Sequence, residues 1–238
     1  MLSENRFLTN SFIFFTGSFL VGLGSYFFHF LMARLLTIED YGEVQSLIAI
    51  LGFFTIPLAA LSTVLVRDVA RFNGSDQSLQ KIWGILSYFT GKVLVLSAVV
   101  VALFLLMSRP IAAFLNLNSV WPVVILGFSF FPVFLSSVNK GVIQGLEKFK
   151  SISLISLVEV FFKISVAFLL VTWGFRTSGA IFGLLAAGLI GYLISFWPLR
   201  SLKRETGEKI NPAGISGNFF SVLLHLLAMN LLFSLDLV

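Results

Sequence analysis

Two residues of opposite charge, Glu159 and Lys163, lie within the apolar segment 152–173. Charged side chains are costly inside a bilayer, by about 2.5–3.5 kcal/mol at mid-helix, and usually face protein or water. Residues four apart share one face of a helix, so this carboxylate and this ammonium can pair. Ser153 and Ser156 extend the polar pattern in the same segment. The pattern predicts either an inward polar face that lines a cavity or a self-neutralised pair that packs against neighbouring helices.

Two further charged residues interrupt apolar segments. Lys92 lies about nine residues into the segment 83–107, roughly 14 Å from its beginning at 1.5 Å per residue. Its ammonium either reaches the membrane surface along its aliphatic stem or forms a cationic cavity wall, which would suit a phosphate group. Asp236 lies near the end of the last apolar segment, as a functional carboxylate or as an interfacial residue. Lys92, Glu159, Lys163 and Asp236 are therefore the candidates for contact with a charged substrate.

The residue types in the chain argue against several kinds of chemistry. There is no cysteine, which excludes disulfides, thiolate catalysis and cysteine-ligated metals. The two histidines, His29 and His225, argue against a histidine metal site, and we expect them to be packing or interfacial residues, with proton coupling as the alternative. No phosphate-binding loop motif of ATPases is present. We expect no metal, no cofactor and no catalytic residue in this chain.

The elements that hold these residues must be membrane-spanning helices. The chain of 238 residues is 58% hydrophobic and 11% charged, whereas a soluble domain is about 45–50% apolar and about 25% charged. Backbone groups in lipid are satisfied only in helices or closed barrels, and long runs without alternation predict helices. The first run is too long for a cleavable signal peptide and is predicted to be retained. The segments that meet or approach the roughly 20 apolar residues of a span are 12–36, 44–66, 83–107, 121–144, 152–173, 177–199 and 218–238.

The distribution of lysine and arginine predicts the orientation of these helices, because basic residues concentrate on the cytoplasmic side of membrane proteins. The outer side would carry Arg34, Arg109 and Arg176, while Lys92 and Lys163 lie within spans. The formal charge of +5 is thus interpreted as a topology signal rather than as a nucleic-acid surface. With the N-terminus in the cytoplasm, the remaining basic residues lie inside: Arg6, Arg67, Arg71, Lys81, Lys140, Lys148, Lys150, Arg200, Lys203, Arg204 and Lys209.

Two prolines and a set of small residues stand out within the predicted helices. Pro57 and Pro132 each remove a backbone hydrogen bond and kink a helix, so they are candidate hinges or ordinary prolines of membrane helices. Small residues at four-residue intervals predict close packing of the sixth helix against another helix. These small residues are Gly179, Gly183, Ala187 and Gly191.

The polar stretch MARLLTIEDYGE (32–43), with the acids Glu39, Asp40 and Glu43, connects the first two predicted helices. We expect a solvated outer turn in which Gly42 permits the chain reversal and Tyr41 lies at the level of the lipid headgroups. Arg34 is close enough to the end of the first helix to extend outward into solvent. Direct contact of this stretch with a substrate is the alternative.

Three stretches together carry a resemblance to a known family. ARLLTIEDYG (33–42) resembles the signature after the first helix of polysaccharide-biosynthesis membrane proteins. These are the O-antigen and oligosaccharide flippases of the multidrug/oligosaccharidyl-lipid/polysaccharide exporter superfamily. RDVARF (67–72) resembles the inner end of the family's second helix, and GVIQGLEKFK (141–150) resembles the inner loop after its fourth helix. The matching residues are Arg34, Asp40, Tyr41 and Gly42 outside, and Arg67, Asp68, Arg71, Gly145 and Lys148 inside.

The resemblance implies two six-helix lobes around a central cavity that opens alternately to the two leaflets. This chain departs from that pattern because it ends within the seventh apolar segment. The predicted fold class is therefore all-α: a polytopic transmembrane helix bundle with one six-helix lobe (residues 1–216) and the start of a seventh helix (residues 217–238). We expect a truncated or incompletely sequenced N-terminal lobe, in which Asp236 resembles a polar position of the family's seventh helix.

The function that the resemblance implies is flipping of lipid-linked oligosaccharide precursors across the cytoplasmic (inner) membrane by alternating access. The expected partners are the lipid bilayer, the lipid-linked substrate, and other polysaccharide assembly proteins or a second lobe, with no nucleic acid. Two alternatives stay open. One is a drug or cation antiporter of the same superfamily. The other is a membrane-bound ligase or acyltransferase acting on lipid-linked glycans, although the short outer loops offer few groups for catalysis.

Overall fold

The computed structural model describes residues 2–72, 78–200 and 202, and this part of the chain is almost entirely helical. A short π-helical turn, Val171–Phe175, joins the last two helices of this part of the chain. No β-strand occurs in the described ranges, and the predicted all-α fold class is confirmed. The helices are α1 (Leu2–Leu35), α2 (Ile38–Phe72), α3 (Ser78–Leu106), the short α4 (Ser108–Phe114), α5 (Trp121–Gly145), α6 (Phe149–Leu170) and α7 (Arg176–Leu199).

Membrane crossing explains the surface of this bundle. Large apolar side chains such as Phe53 and Trp173 are exposed on the helices, where lipid rather than water suits them. The stretch Phe149–Leu199 has 51 residues and supplies two crossings, because it comprises both α6 and α7. The chain is therefore a multi-pass membrane protein, while the seventh predicted segment, with His225 and Asp236, lies outside the described residues. The stretches long enough to span are Phe12–Leu35, Ile38–Phe72, Leu79–Leu106, Trp121–Gly145 and Phe149–Leu199.

The connection between α1 and α2 is two residues long, because α2 begins earlier than its hydropathy predicts. The Thr37 hydroxyl accepts a hydrogen bond from the backbone N–H of Asp40 (3.1 Å), which caps the beginning of α2. Acidic residues in the first turn of α2 and Arg34 in the last turn of α1 complement the helix dipoles. Gly42 therefore lies inside α2, and the prediction that it permits the chain reversal is wrong.

The turn at Gly174 folds α6 and α7 into an antiparallel hairpin. Gly174 has a φ of 91°, in the left-handed region that favours glycine. The small residues of α7 face α6: a Cβ added at Gly183 would lie 2.7 Å from the Ala167 Cβ. A Cβ added at Gly191 would overlap the Glu159 carboxylate. The predicted close packing along this stripe is confirmed, because glycine lets the two backbones approach.

α5 is the central helix of the described bundle. It packs against α2, α3 and α7, whereas α1 packs mainly against α6. Phe130 of α5 lies 4.7 Å, centroid to centroid, from both Phe54 of α2 and Phe104 of α3. Such aromatic pairs contribute about 0.5–1.5 kcal/mol beyond their burial. Polar residues carried by α5 are consequently held in the interior of the bundle.

One end of the bundle is held together by Glu43 of α2. Its carboxylate accepts hydrogen bonds from the Asn118 backbone N–H (2.8 Å), the Asn118 side chain (3.0 Å) and the Thr177 hydroxyl (2.7 Å). These bonds tie the beginning of α2 to the α4–α5 loop and to the beginning of α7. We call this end the Glu43 face. Glu43 and Asp40 are buried, so the prediction of a solvated turn is wrong for both carboxylates.

The opposite end brings the loop after α5 against α2 and α7. The Lys148 ammonium donates a hydrogen bond to the Pro198 carbonyl (2.6 Å), in the last turn of α7 where backbone carbonyls lack helical partners. Burial lowers the pKa of Lys148. A Cβ added at Gly145 would lie 2.6 Å from the Val69 Cβ, so glycine permits the close approach of α5 to α2. We call this end the Lys148 face.

The role of Glu43 can be tested by substitution. We expect Glu43→Ala to lower the free energy of unfolding by about 2 kcal/mol, because each buried donor left without an acceptor costs about 1–3 kcal/mol. The measurement is unfolding of the purified protein by SDS titration in mixed micelles. Glu39→Ala is the matched control, since Glu39 is an exposed acid in the first turn of the same helix. Equal losses in the two variants would contradict the assigned role.

Candidate functional site

The charged residues of α6 line a cavity between helices that has both polar and apolar walls. The cavity has a volume of about 320 Å³ and lies between α2, α5, α6 and α7. We call it the Glu159 cavity. The structure thus places Glu159 and Lys163 at one cavity, and their contact with a substrate stays a prediction. Its polar lining residues are Thr55, Ser136, Ser137, Lys140, Glu159 and Lys163.

Glu159 forms its ion pair with Lys140 of α5, at a distance of 2.6 Å between Nζ and Oε2. The Lys163 ammonium instead donates to the Ser25 hydroxyl of α1 (3.3 Å) and lies 4.9 Å from the centre of the Phe28 ring. The self-neutralised pair of Glu159 with Lys163 is therefore wrong. The reason is tertiary, because α5 brings a closer ammonium to Glu159 while α1 offers Lys163 a hydroxyl and an aromatic face.

Lys140 is the residue of this cavity that sequence reasoning missed. Lys140 lies near the end of a predicted span, and by its position alone it indicates the inner side of the membrane. The helix continues to Gly145, more than one turn beyond Lys140, and the ammonium points to the bundle interior. Ser136 and Lys140 are four residues apart and share a face of α5, and this polar spacing is the signal that could have identified them.

The cavity combines excess positive charge with a free hydroxyl. Two ammonium groups face one carboxylate, which leaves one positive charge in excess. The Ser137 hydroxyl donates to the Phe134 carbonyl (2.7 Å). The buried Ser136 hydroxyl, in contrast, has no hydrogen-bond partner among the described residues. Buried polar groups rarely lack partners, so Ser136 is free to bond a ligand or a water in the cavity.

α1 packs against α6, and two other polar residues, Ser153 and His29, lie where α1 contacts its neighbouring helices. A Cβ added at Gly17 would lie 2.5 Å from the Ser153 hydroxyl oxygen, so Ser153 belongs to the α1–α6 interface. Its predicted place on the polar cavity face is wrong. The His29 Nδ1 lies 2.9 Å from the Gln45 side-chain nitrogen, which links α1 to α2. His29 is thus a packing residue between two helices, as the first alternative stated.

Lys92 lies outside the Glu159 cavity, in a groove between α2 and α3 whose floor is α5. The groove has a volume of about 530 Å³, and we call it the α2–α3 groove. Because α3 begins at Ser78, Lys92 is the middle residue of the 29-residue helix, about 21 Å from each end at 1.5 Å per residue. Lys92 thus lines the wall of this groove, and its contact with a substrate stays a prediction. Asp236 lies outside the described residues.

The two candidate hinge prolines lie in the walls of these cavities. Pro57 lines the α2–α3 groove. Pro132 is buried in α5, where a Cβ added at Gly188 of α7 would be 3.4 Å from its Cγ. Both α2 and α5 continue as helices through their proline. Action of Pro57 and Pro132 as hinges stays a prediction.

The signature residues are located at the two faces of the bundle. Arg34 lies 5.5 Å from the centre of the Phe30 ring, and the other outer residues occupy the first turns of α2. Near the Lys148 face, the Arg67 guanidinium donates to the buried Asp68 carboxylate through two nitrogens, both at 3.0 Å, and Arg71 is exposed. In the described ranges, none of the signature residues lines the Glu159 cavity or the α2–α3 groove. The contacts of Arg34 with Phe30 and of Arg67 with Asp68 lie within α1 and α2, respectively.

The chemistry that this arrangement can perform is binding. Among the described residues, no group of three or more His, Asp or Glu side chains lies close enough to hold a metal ion. The Glu159 cavity offers ammonium groups and hydroxyls, which bind phosphate and sugar oxygens through charge-assisted and neutral hydrogen bonds.

Comparisons with known proteins agree with this arrangement. Residues 7–238 match the model of the family described as polysaccharide biosynthesis protein. A solved structure, the outward-facing conformation of a multidrug resistance MATE family transporter of the MOP superfamily, has the same fold with a TM-score of 0.67 and 16% identity. The match covers 90% of this chain and 49% of that one, so this chain spans about half its length. No curated protein matches the chain. The predicted family is confirmed, and the chain belongs to the polysaccharide biosynthesis protein family.

Proposed function

We propose that the chain forms one lobe of a transporter that moves lipid-linked oligosaccharide precursors across the cytoplasmic membrane. The observation that carries this proposal is the Glu159 cavity, which contains six polar side chains, has one positive charge in excess and lies among helices with an apolar outer surface. A saccharide joined to lipid through phosphate needs such surroundings to cross hydrocarbon, because polar groups buried without partners cost free energy.

Lys163 is the proposed first contact of the phosphate. Its ammonium is bonded to a neutral hydroxyl and forms no ion pair in the described part of the chain, because the Glu159 carboxylate in the same cavity pairs with Lys140. Lys140 is balanced by Glu159, and an entering phosphate would compete with that carboxylate for the ammonium. The free Ser136 hydroxyl supplies a donor for a sugar or phosphate oxygen.

The proposed orientation places the Lys148 face in the cytoplasm. The Glu43 face carries Arg34, Arg109 and Arg176. Because basic residues concentrate on the cytoplasmic side, the unequal distribution supports a cytoplasmic N-terminus in the inner membrane. The described basic residues at or near the Lys148 face are Arg67, Arg71, Lys81, Lys148, Lys150 and Arg200.

The proposal includes a second lobe. The chain spans about half the length of the MATE structure, which is consistent with a first lobe at residues 1–216 and the start of a second lobe at residues 217–238. Between two such lobes the Glu159 cavity would open alternately to the two leaflets, with Pro57 and Pro132 as hinges. Other polysaccharide assembly proteins are proposed partners that supply or take up the lipid-linked saccharide.

A second candidate function is export of an organic cation. Two observations favour it: the fold is similar to that of a multidrug resistance transporter, and Glu159 offers a carboxylate inside the cavity. The excess positive charge opposes this candidate, because a cation would meet two ammonium groups and one carboxylate. Oligosaccharide transport is therefore the primary proposal, and we propose no catalytic role for the chain.

The experiment that tests the proposal is a flipping assay. The full-length protein is placed in liposomes with a fluorescent lipid-linked oligosaccharide, and the label that reaches the outer leaflet is quenched chemically. We expect Lys163→Met to slow flipping about tenfold, because one charge-assisted hydrogen bond to the phosphate is lost. Lys150→Met is the matched control, since Lys150 is an exposed lysine at the beginning of the same helix.

Two results would contradict the proposal. One is unchanged flipping in Lys163→Met at equal amounts of folded protein. The other is the absence of flipping by the wild-type protein together with pH-driven release of an organic cation from the same liposomes, which would establish the antiporter instead.

A further inference from the structure

The α2–α3 groove is larger than the Glu159 cavity and chemically different from it. Its volume of about 530 Å³ is within the usual range of about 300–1,000 Å³ for ligand sites. Apart from Lys92 and the Tyr88 hydroxyl, its lining is apolar, with Phe54, Leu61 and Leu96 among the walls. Such a lining suits hydrocarbon and offers almost nothing to a saccharide.

The groove opens away from the core of the bundle. α2 and α3 each pack extensively against α5 but make few contacts with each other, so the space between them is not closed. Leu96, on its α3 wall, is 53% exposed. A hydrocarbon chain can therefore enter from the membrane without separating any packed helices.

Lys92 supplies a charge that nothing in the described residues balances. The ion pairs found there are Arg67–Asp68 and Lys140–Glu159, and the Lys92 ammonium lies instead 5.6 Å from the centre of the Tyr88 ring. A lysine at the middle of a spanning helix costs free energy unless it meets an anion or water. The exposed Lys92 ammonium is therefore available to an anionic group that enters the groove.

We infer that the α2–α3 groove binds the hydrocarbon chain of the transported lipid while Lys92 contacts its phosphate. This inference rests on the proposed function. A resting phospholipid holds its phosphate at the membrane surface, about 15 Å from the midplane of a roughly 30 Å core. A phosphate at the level of Lys92 consequently belongs to a lipid in passage. Leu58 lines both the groove and the Glu159 cavity, so the lipid chain and the saccharide would bind at adjacent places on α2.

The test is photo-crosslinking of the full-length protein in nanodiscs of zwitterionic lipid. The probe is a long-chain alkyl phosphate with a diazirine in mid-chain, and the crosslinked peptides are identified by mass spectrometry. We expect labels at Leu61 and Leu96, competed by unlabelled alkyl phosphate about tenfold better than by the alcohol of equal chain length. Lys92→Met should abolish this preference, and Lys92→Arg should retain it.

A second pair of variants tests the groove separately from the charge. Leu96→Trp fills the groove and should remove the labels, whereas Leu103→Trp changes an equally exposed residue of α3 that does not line it. Equal competition by phosphate and alcohol would overturn the inference and leave a non-specific lipid contact. Loss of thermal stability in Lys92→Met with unchanged labelling would overturn it too, because Lys92 would then pair with a carboxylate elsewhere in the protein.

A failure of the groove inference can be distinguished from a failure of the proposed transport function. If wild-type protein flips the lipid-linked oligosaccharide and Lys163→Met does not, while the alkyl phosphate labels no groove residue, the groove inference fails and the transport proposal stands. If phosphate-dependent labelling of the groove is found in a protein that flips no oligosaccharide, the transport proposal fails and the lipid-phosphate site stands.

Discussion

Glu159→Ala is expected to lower the free energy of unfolding by about 3 kcal/mol, because removing one partner of a buried ion pair costs about 3–5 kcal/mol. The Lys140 and Glu159 side chains are 28% and 18% exposed, which places the expected loss at the lower end of that range. The substitution leaves Lys140 and Lys163 in the same cavity without a carboxylate. SDS titration in mixed micelles measures the loss.

The neutral double variant Lys140→Met/Glu159→Gln separates the charge from the packing. It removes both members of the Lys140–Glu159 pair together, and neutral replacement of a buried ion pair is often tolerated, so we expect most of the stability to return. Flipping of the lipid-linked oligosaccharide should stay impaired in this variant, because one of the two ammonium groups is missing. A double variant as unstable as Glu159→Ala would show that the Lys140–Glu159 ion pair itself stabilises the helices, because glutamine keeps the shape of Glu159 against Gly191.

Gly183→Val is expected to disrupt the α6–α7 hairpin and to cost about 3 kcal/mol, at the upper end of the usual range for overpacking. A Cβ at Gly183 would lie 2.7 Å from the Lys163 carbonyl oxygen and 2.7 Å from the Ala167 Cβ. A backbone oxygen and a Cβ cannot rotate away, so the whole of α7 would have to move. Because Lys163 belongs to the Glu159 cavity, the cavity would be distorted at the same time.

Gly91→Val is the control for Gly183→Val. Gly91 lies in the middle of α3 with nothing within 4 Å of an added Cβ, so valine there meets lipid rather than a helix. Thermal unfolding followed by fluorescence-detected size-exclusion chromatography compares the two variants at equal expression. The close-packing account fails if Gly91→Val is destabilised as much as Gly183→Val.

Much of the fold follows from the sequence alone. Six of the predicted spans correspond to α1, α2, α3, α5, α6 and α7, because hydrocarbon excludes any helix that is not long and apolar. The stripe that includes Gly183 and Gly191 indicated close packing correctly, since the absence of a side chain is itself the packing feature. The beginnings of helices were less predictable. Thr37 caps α2 ahead of the apolar run, so the polar residues that follow it belong to a helix rather than to a turn.

The candidate site was only partly predictable, because local spacing identifies a face but not its partners. The four-residue spacing of Glu159 and Lys163 correctly placed both residues on one cavity, yet their ion pair does not form. Lys140 was not recognised as a cavity residue because it lies near the end of a predicted helix. Ser136 was not recognised because serine is common in membrane helices. Lys92 was predicted either to reach the membrane surface or to form a cationic cavity wall, and it lies in the wall of the α2–α3 groove, apart from Glu159 and Lys163.

The sequence by itself determined that the chain crosses the membrane several times, which residues carry charge inside it, and which family it belongs to. Membrane crossing depends on each segment's own free energy of transfer from water to lipid, and the family follows from the local sequence signatures. Only the tertiary structure decided which charges meet, because the order α1–α6–α7–α5 and the rotation of each helix set distances of a few ångströms between residues far apart in sequence. Coulomb energy depends on those distances, and so the pairing of Lys140 with Glu159 and the separate position of Lys92 come from helix packing.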